Sequence, residues 1–331
     1  MTATKPLLQL RALGLQLRHG RQRVPVLRDI DLTLGAGESL GLVGESGSGK
    51  SQLLLALLGL SPAGAQLAGS IRYRDQELVG ASAAQWALVR GAGIGIVFQD
   101  PASALNPYLT IGTQLTEALR AQRRVTAATA RARACELLEQ VRMAEPARCL
   151  RRFPHQLSGG MRQRVTIAMA LMCEPTLLLC DEPTTALDMP VQKQIIELLR
   201  ELRARTGVAL LVVSHDISVV AALTERMAVM YAGQIVELAP TSELLALPRH
   251  PYSIGLQRSA LTLHSALDQP LPTINGNPAT LAEQASGCSF AARCERVHDR
   301  CRASMPPLVA EAAQHWRACY WQPAPSAAGG A

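Results

Sequence analysis

The chain has 331 residues, 48% hydrophobic and 18% charged, which allows a sizeable core in about two domains and excludes a disordered polymer. The longest apolar run, residues 53–60 with Gly59 allowed, is far short of the roughly 18 residues of a membrane span, and the N-terminus lacks the apolar core of a signal peptide. A soluble cytoplasmic protein is expected. The net charge is +7, and among 33 basic residues only Lys5, Lys50 and Lys193 are lysines; there are also eight Cys.

In chain order, short apolar runs alternate with helical stretches, the pattern of an α/β fold with a parallel sheet covered by helices. Residues 40–43 predict a strand, followed by Gly44-Glu45-Ser46-Gly47-Ser48-Gly49-Lys50-Ser51 and a Leu-rich helix. This is GxxxxGK[ST] in its strand–helix setting. Glycines let backbone N–H groups curl around phosphate oxygens, and the helix N-terminus adds partial positive charge. Lys50 is placed to reach the β- and γ-phosphates and Ser51 to ligate Mg²⁺. A second strand, 94–98, delivers Gln99 to Mg²⁺ or to an attacking water.

The insert from about 107 to 156, extending to about 165, predicts a mostly helical lobe, with an amphipathic helix over 126–143 carrying Leu137, Leu138 and Val141 on one side. Residues 116–165 hold 11 Arg and four Glu, while the rest of the chain has 22 basic and 22 acidic residues, so this segment carries the whole net charge. A solvated helical face, a surface near anionic lipid headgroups and a nucleic-acid stripe are the three readings; the last wants stacking aromatics, and only Phe153 is present.

Next comes Leu157-Ser158-Gly159-Gly160-Met161, opening a helix over 165–173 and making a second phosphate-ready N-terminus. One nucleotide has one γ-phosphate, so Ser158, Gly159 and Gly160 point to the nucleotide of a second subunit in a head-to-tail dimer. The strand 177–180 ends in Asp181, suited to Mg²⁺, and Glu182, suited to act as general base. A helix over 191–205 and a strand over 208–213 follow, with His215 placed to hydrogen-bond the γ-phosphate. Strand ends are where open parallel sheets bind ligands, so Lys50, Gln99, Glu182 and His215 form the candidate catalytic set.

From about residue 248 periodicity fades and Pro, Cys and aromatics rise, predicting a small C-terminal module over 248–322 and a disordered tail over 323–331. Cys135, Cys149, Cys173 and Cys180 stand singly in apolar or helical surroundings and read as buried small hydrophobes. Cys288, Cys294, Cys301 and Cys319 form a C-x5-C-x6-C-x17-C cluster. Its spacing matches neither paired zinc-ribbon cysteines nor common ferredoxins. Iron–sulfur, zinc and metal-free reduced thiols are the readings open to it.

The phosphate loop, Gln99, LSGGM at 157–161, the run ending in Asp181-Glu182, Ala186-Leu187-Asp188 and His215, in that order, resemble an ATP-binding cassette (ABC) ATPase subunit. The resemblance implies a P-loop NTPase core over residues 1–247, ATP and Mg²⁺ as cofactors with Ser51, Gln99 and Asp181 on the metal, and Asp188 tying two sites together. It also implies a second, related ATPase subunit, two transmembrane permease subunits and an extracytoplasmic substrate-binding protein as partners, at the cytoplasmic face of a bacterial membrane, without nucleic acid.

Phe98-Gln99-Asp100-Pro101, Leu105-Asn106-Pro107 and His250-Pro251-Tyr252 look like the dipeptide/oligopeptide and nickel importer ATPases. In that group the cysteine module can hold a [4Fe–4S] cluster. Peptide is the expected cargo, with nickel or a peptide antibiotic as alternatives. A soluble cassette protein acting on nucleic acid or ribosomes is the rival class, and it lacks its usual tandem cassette or coiled coil here. Where the family stacks an aromatic on adenine, near residue 17, this chain has Leu17-Arg18-His19.

Overall fold

The computed structural model describes residues 5–185, 187–259, 274–277 and 287–322. Ala186 of the Ala-Leu-Asp run, parts of the expected 248–322 module and the tail at 323–331 lie outside the described residues.

Two sheets organise the chain. The first contains β1 (Leu8–His19), β2 (Gln22–Leu34), β4 (Gln66–Tyr73) and β5 (Gln76–Glu77), antiparallel in the order β2-β1-β4-β5. It was not among the expected elements, although its cause is simple. Leu8, Leu10, Leu13 and Leu15 alternate onto one buried face. The alternation slips at Ala12, which adopts φ 43° and donates its N–H to Asp31 Oδ1 at 3.0 Å.

The larger sheet runs β11 (Val309–Ala312), β12 (His315–Arg317), β10 (Gln234–Pro240), then β9, β3, β8, β7 and β6. Its centre is parallel: β3 (Ser39–Val43), β6 (Ile94–Val97), β7 (Leu177–Asp181), β8 (Ala209–Ser214) and β9 (Arg226–Tyr231). Both faces of this centre are covered, so β3 and β8 are buried at every position, which is why they appear in the sequence as unbroken apolar runs. In register, Val43 lies beside Ser214 and Asp181 beside Val213. The strand ends carrying the phosphate loop, Asp181-Glu182 and His215 therefore sit side by side.

The arginine-rich insert forms helices Ile111–Gln122, Ala127–Gln140 and Pro146–Cys149. Thr110 and Thr126 cap the first two by accepting from the N–H groups of Thr113 and Thr129, each worth about 1 kcal/mol. Leu137, Leu138 and Val141 are buried as their spacing requires. The helix after Leu157 spans Gly159–Leu171, starting well before residue 165 because Ser158 caps it by accepting from Met161 N–H.

Beyond residue 240, β10 (Gln234–Pro240) pairs antiparallel with β12 (His315–Arg317), which pairs with β11 (Val309–Ala312). The C-terminal segment thus extends the large sheet, and Cys288, Phe290 and Cys301 join the same buried core as Tyr231 and Tyr252. Of the four solitary cysteines, Cys149, Cys173 and Cys180 are buried and Cys135 only partly so. Among the described residues no helix is long and apolar enough to cross a membrane.

Candidate functional site

The turn from β3 into helix Lys50–Leu57 is tightly packed. Gly49 has φ 103°, and a Cβ there would stand 2.9 Å from Met230 Cε and 3.1 Å from the Val26 carbonyl, so a larger residue would be strained in both backbone and packing. Ser46 and Gly47 face solvent, whereas Gly44, Ser48 and Lys50 are buried. Lys50 Nζ donates to the carbonyls of Gly44 at 2.7 Å and Glu45 at 2.8 Å and to Ser48 Oγ at 3.2 Å. Burial pulls its pKa below the usual lysine value, and the charges of Glu182, Asp181 and Glu45 oppose that shift.

Across the sheet, Ser51 Oγ donates to Asp181 Oδ1 at 3.1 Å. Burial pushes the Asp181 carboxyl up, against the Ser51 hydrogen bond, and the neighbouring Glu182 charge adds to the rise. A half-buried carboxylate beside a second carboxylate and a hydroxyl suits a hard divalent cation, so Ser51 and Asp181 are the residues that would hold Mg²⁺. Bound there, Mg²⁺ would neutralise charge on the phosphates.

Glu182 follows at φ 45°, a conformation uncommon for a residue with a Cβ, with its N–H fixed on the Val213 carbonyl at 2.8 Å. The strain aims its carboxylate at two donors, Gln99 Nε2 at 3.0 Å and Thr185 Oγ1 at 2.8 Å, and places it 3.1 Å from His215 Nδ1. Lys50, Ser51, Gln99, Asp181, Glu182 and His215 are therefore brought together as the sequence suggests. Gln99 bonds to Glu182 rather than to Asp181. Thr185 is not among the residues the sequence singles out; its one signal there is a hydroxyl three positions after the acid.

Ser158 is exposed at its helix start, and Gly160 packs so closely that a Cβ would lie 2.6 Å from Val191 Cγ1. Asp188 caps helix Met189–Thr206 by accepting from Val191 N–H at 3.1 Å. Among the described residues no hydrogen bond joins 158–160 to the phosphate loop of the same chain.

The four C-terminal cysteines are free thiols gathered in one region. Cys288 N–H donates to the Cys301 carbonyl at 2.7 Å. Burial pushes the Cys288 thiol up to about 11, with Cys319, Cys301 and Cys294 adding to the rise, and raises Cys294 and Cys319 as well. The donors suit soft metal chemistry, but among the described residues no group of three or more His, Cys, Asp or Glu is arranged to hold a metal ion. As they stand, these residues do not fit a cluster's ligand shell.

Residues 27–185 match the ABC transporter family and residues 236–301 the oligopeptide/dipeptide transporter C-terminal region. The chain is 45% identical to the oligopeptide transport ATP-binding protein OppD of Mycobacterium tuberculosis, over 95% of its own length and 52% of that protein's. It is 42% identical to a putative peptide import ATP-binding protein of Brucella melitensis, over 96% of its own length and 98% of that protein's. The chain thus spans about half the length of the mycobacterial relative and nearly all of the Brucella one. In structure it resembles the dimeric post-hydrolysis state of the ATP-binding cassette MJ0796 bound to ADP and Pi, with TM-score 0.64 and 30% identity over 71% of this chain and 98% of that one.

Proposed function

Because the chain belongs to the ABC transporter ATPases, among the peptide import ATP-binding proteins, we propose that it binds and hydrolyses ATP to power uptake of di- and oligopeptides. The observation that carries this reading is the Glu182 carboxylate, oriented by Gln99, Thr185 and His215 beside Asp181, Ser51 and the phosphate loop. Glu182 takes the proton of the attacking water, His215 and Lys50 act on the γ-phosphate, and Gln99 orients the water and the acid.

Glu182→Gln retains the side chain's shape and removes its basicity. ATP binding is expected to persist while phosphate release falls roughly a hundredfold or more. Undiminished hydrolysis would remove Glu182 from the role of base.

Ser158, Gly159 and Gly160 complete the site of a second, related ATPase subunit, and Asp188 ties the two sites together. Two membrane permease subunits and an extracytoplasmic binding protein complete the importer, with this chain at the cytoplasmic face. Peptide cargo is favoured by the C-terminal match at 236–301.

The finer reading of Cys288, Cys294, Cys301 and Cys319 as a [4Fe–4S] site rests on four thiols in one small segment, and would require the segment to close around the cluster. Protein purified without oxygen is then expected to be brown and to contain iron and acid-labile sulfide. Colourless, iron-free protein would discard it.

A further inference from the structure

The C-terminal segment reaches the phosphate loop through one arginine. Arg293 has a side chain only 5% exposed, and it holds the Glu45 carboxylate with two parallel hydrogen bonds, Nη1 to Oε2 at 2.6 Å and Nη2 to Oε1 at 3.0 Å. Its other donors are also committed: Nε to the Asn275 carbonyl at 2.9 Å, Nη2 to the Ile274 carbonyl at 3.1 Å and Nη1 to the Tyr231 hydroxyl at 3.4 Å. The guanidinium lies 5.9 Å from the ring centroids of both Tyr231 and Phe290. Such a planar, two-point grip fixes orientation as well as charge, which an ammonium could not do.

Glu45 is held at two further points. Its backbone N–H donates to the Tyr252 hydroxyl at 2.8 Å, and its carbonyl accepts from Lys50 Nζ at 2.8 Å. Tyr252 is itself immobilised, fully buried, with its ring centroid 4.6 Å from that of Tyr231 and 5.4 Å from that of Phe290. A phosphate loop binds by presenting N–H groups in a fixed curl, and any freedom at its entry is lost on binding and subtracts from affinity. Here the side chain, amide and carbonyl of the entry residue are each tied, two of them by residues outside the loop and beyond residue 250.

We infer that Arg293 and Tyr252 are positioning residues of the nucleotide site: by clamping Glu45 they preorganise the phosphate loop, so that ATP affinity depends on the docking of the C-terminal segment. The inference rests on the reading of residues 44–51 as the ATP site. If Arg293 served only to hold the segment down, its loss would lower stability and leave the affinity of the folded protein unchanged.

The test measures binding of a fluorescent N-methylanthraniloyl-ATP, with Mg²⁺, to the full chain and to Arg293→Gln, Arg293→Lys, Glu45→Gln and the Arg293→Gln/Glu45→Gln pair, alongside thermal unfolding. Arg293→Gln and Glu45→Gln are each expected to weaken binding roughly tenfold, and the pair by no more than either alone, as for two residues of one interaction. Arg293→Lys should recover part of the loss, and the effect should fall on KM while kcat changes little. Folded Arg293→Gln protein that binds like wild type would overturn the inference. Should that variant not fold, Glu45→Gln decides by itself, and wild-type affinity there overturns it equally. A wild-type chain that fails to bind the probe would instead remove the ATP-site reading beneath it.

Discussion

Lys50 keeps a side chain that the rest of the sequence has nearly abandoned for arginine. Its three ammonium protons meet three acceptors within one loop, an arrangement a planar guanidinium cannot reproduce. His315 shows the same dependence on a few well-placed partners. Its Nε2 lies 2.8 Å from Glu237 Oε1 and its Nδ1 2.7 Å from Glu243 Oε1, with the ring fully buried. Burial by itself lowers the pKa, but the hydrogen bonds to Glu237 and Glu243 outweigh it and leave the group above its ordinary 6.5. Its stabilising contribution is therefore complete below about 6.5 and is lost as pH rises through the folded value. His250 works in the opposite sense. Burial takes it down to about 4, so the fold keeps it neutral and loses stability as pH falls from about 6.5 towards that value. Urea unfolding across pH should show both limbs in the wild type. His315→Gln is expected to flatten the alkaline limb and keep the acid one; an unchanged alkaline limb would assign it to another group.

At the scale of elements, what could be read from the sequence depended on whether burial was two-sided. β3, β7 and β8 are covered on both faces and stand out as apolar runs, and the polar residues at their ends named most of the candidate site. β1 has a one-sided alternation broken at Ala12, so its period was lost among neighbouring polar residues. The strand Val309–Ala312, Val-Ala-Glu-Ala, is exposed at every position and so shows no alternation of buried and exposed residues to mark it. The helix Gly159–Leu171 begins with two glycines, poor helix formers, and only the Ser158 cap reveals the true start. Thr185 matters because of the turn that follows β7, and Arg293 because a fold joins it to a residue 248 positions away. Thr185 offers only a hydroxyl three positions after Glu182, too common a spacing to stand out. Arg293 has no local pattern at all, since its role exists only once distant segments are packed together.

At the scale of the molecule, the surplus positive charge belongs to the helical lobe, where it forms exposed pairs such as Arg123–Glu174, Arg142–Glu201 and Arg148–Glu145. Pairs of this kind contribute at most about 1 kcal/mol each, so the arginines do little to stabilise the lobe and mostly form a solvated face. The chain presents two anion-ready helix starts, one at Lys50 inside the phosphate loop and one at Ser158, exposed and not bonded to that loop. If the second serves the nucleotide of a partner subunit, charge placed there should affect turnover without affecting the chain's own nucleotide binding. Ser158→Asp makes that separation cleanly, because aspartate caps a helix as well as serine does while its charge opposes a phosphate. The fold is expected to survive, nucleotide affinity of the isolated chain to stay at the wild-type value, and phosphate release to drop at least about tenfold through loss of a preorganised electrostatic contact. Turnover equal to wild type in a folded Ser158→Asp chain would mean that the helix capped by Ser158 faces no nucleotide, and the shared-site dimer would have to be abandoned.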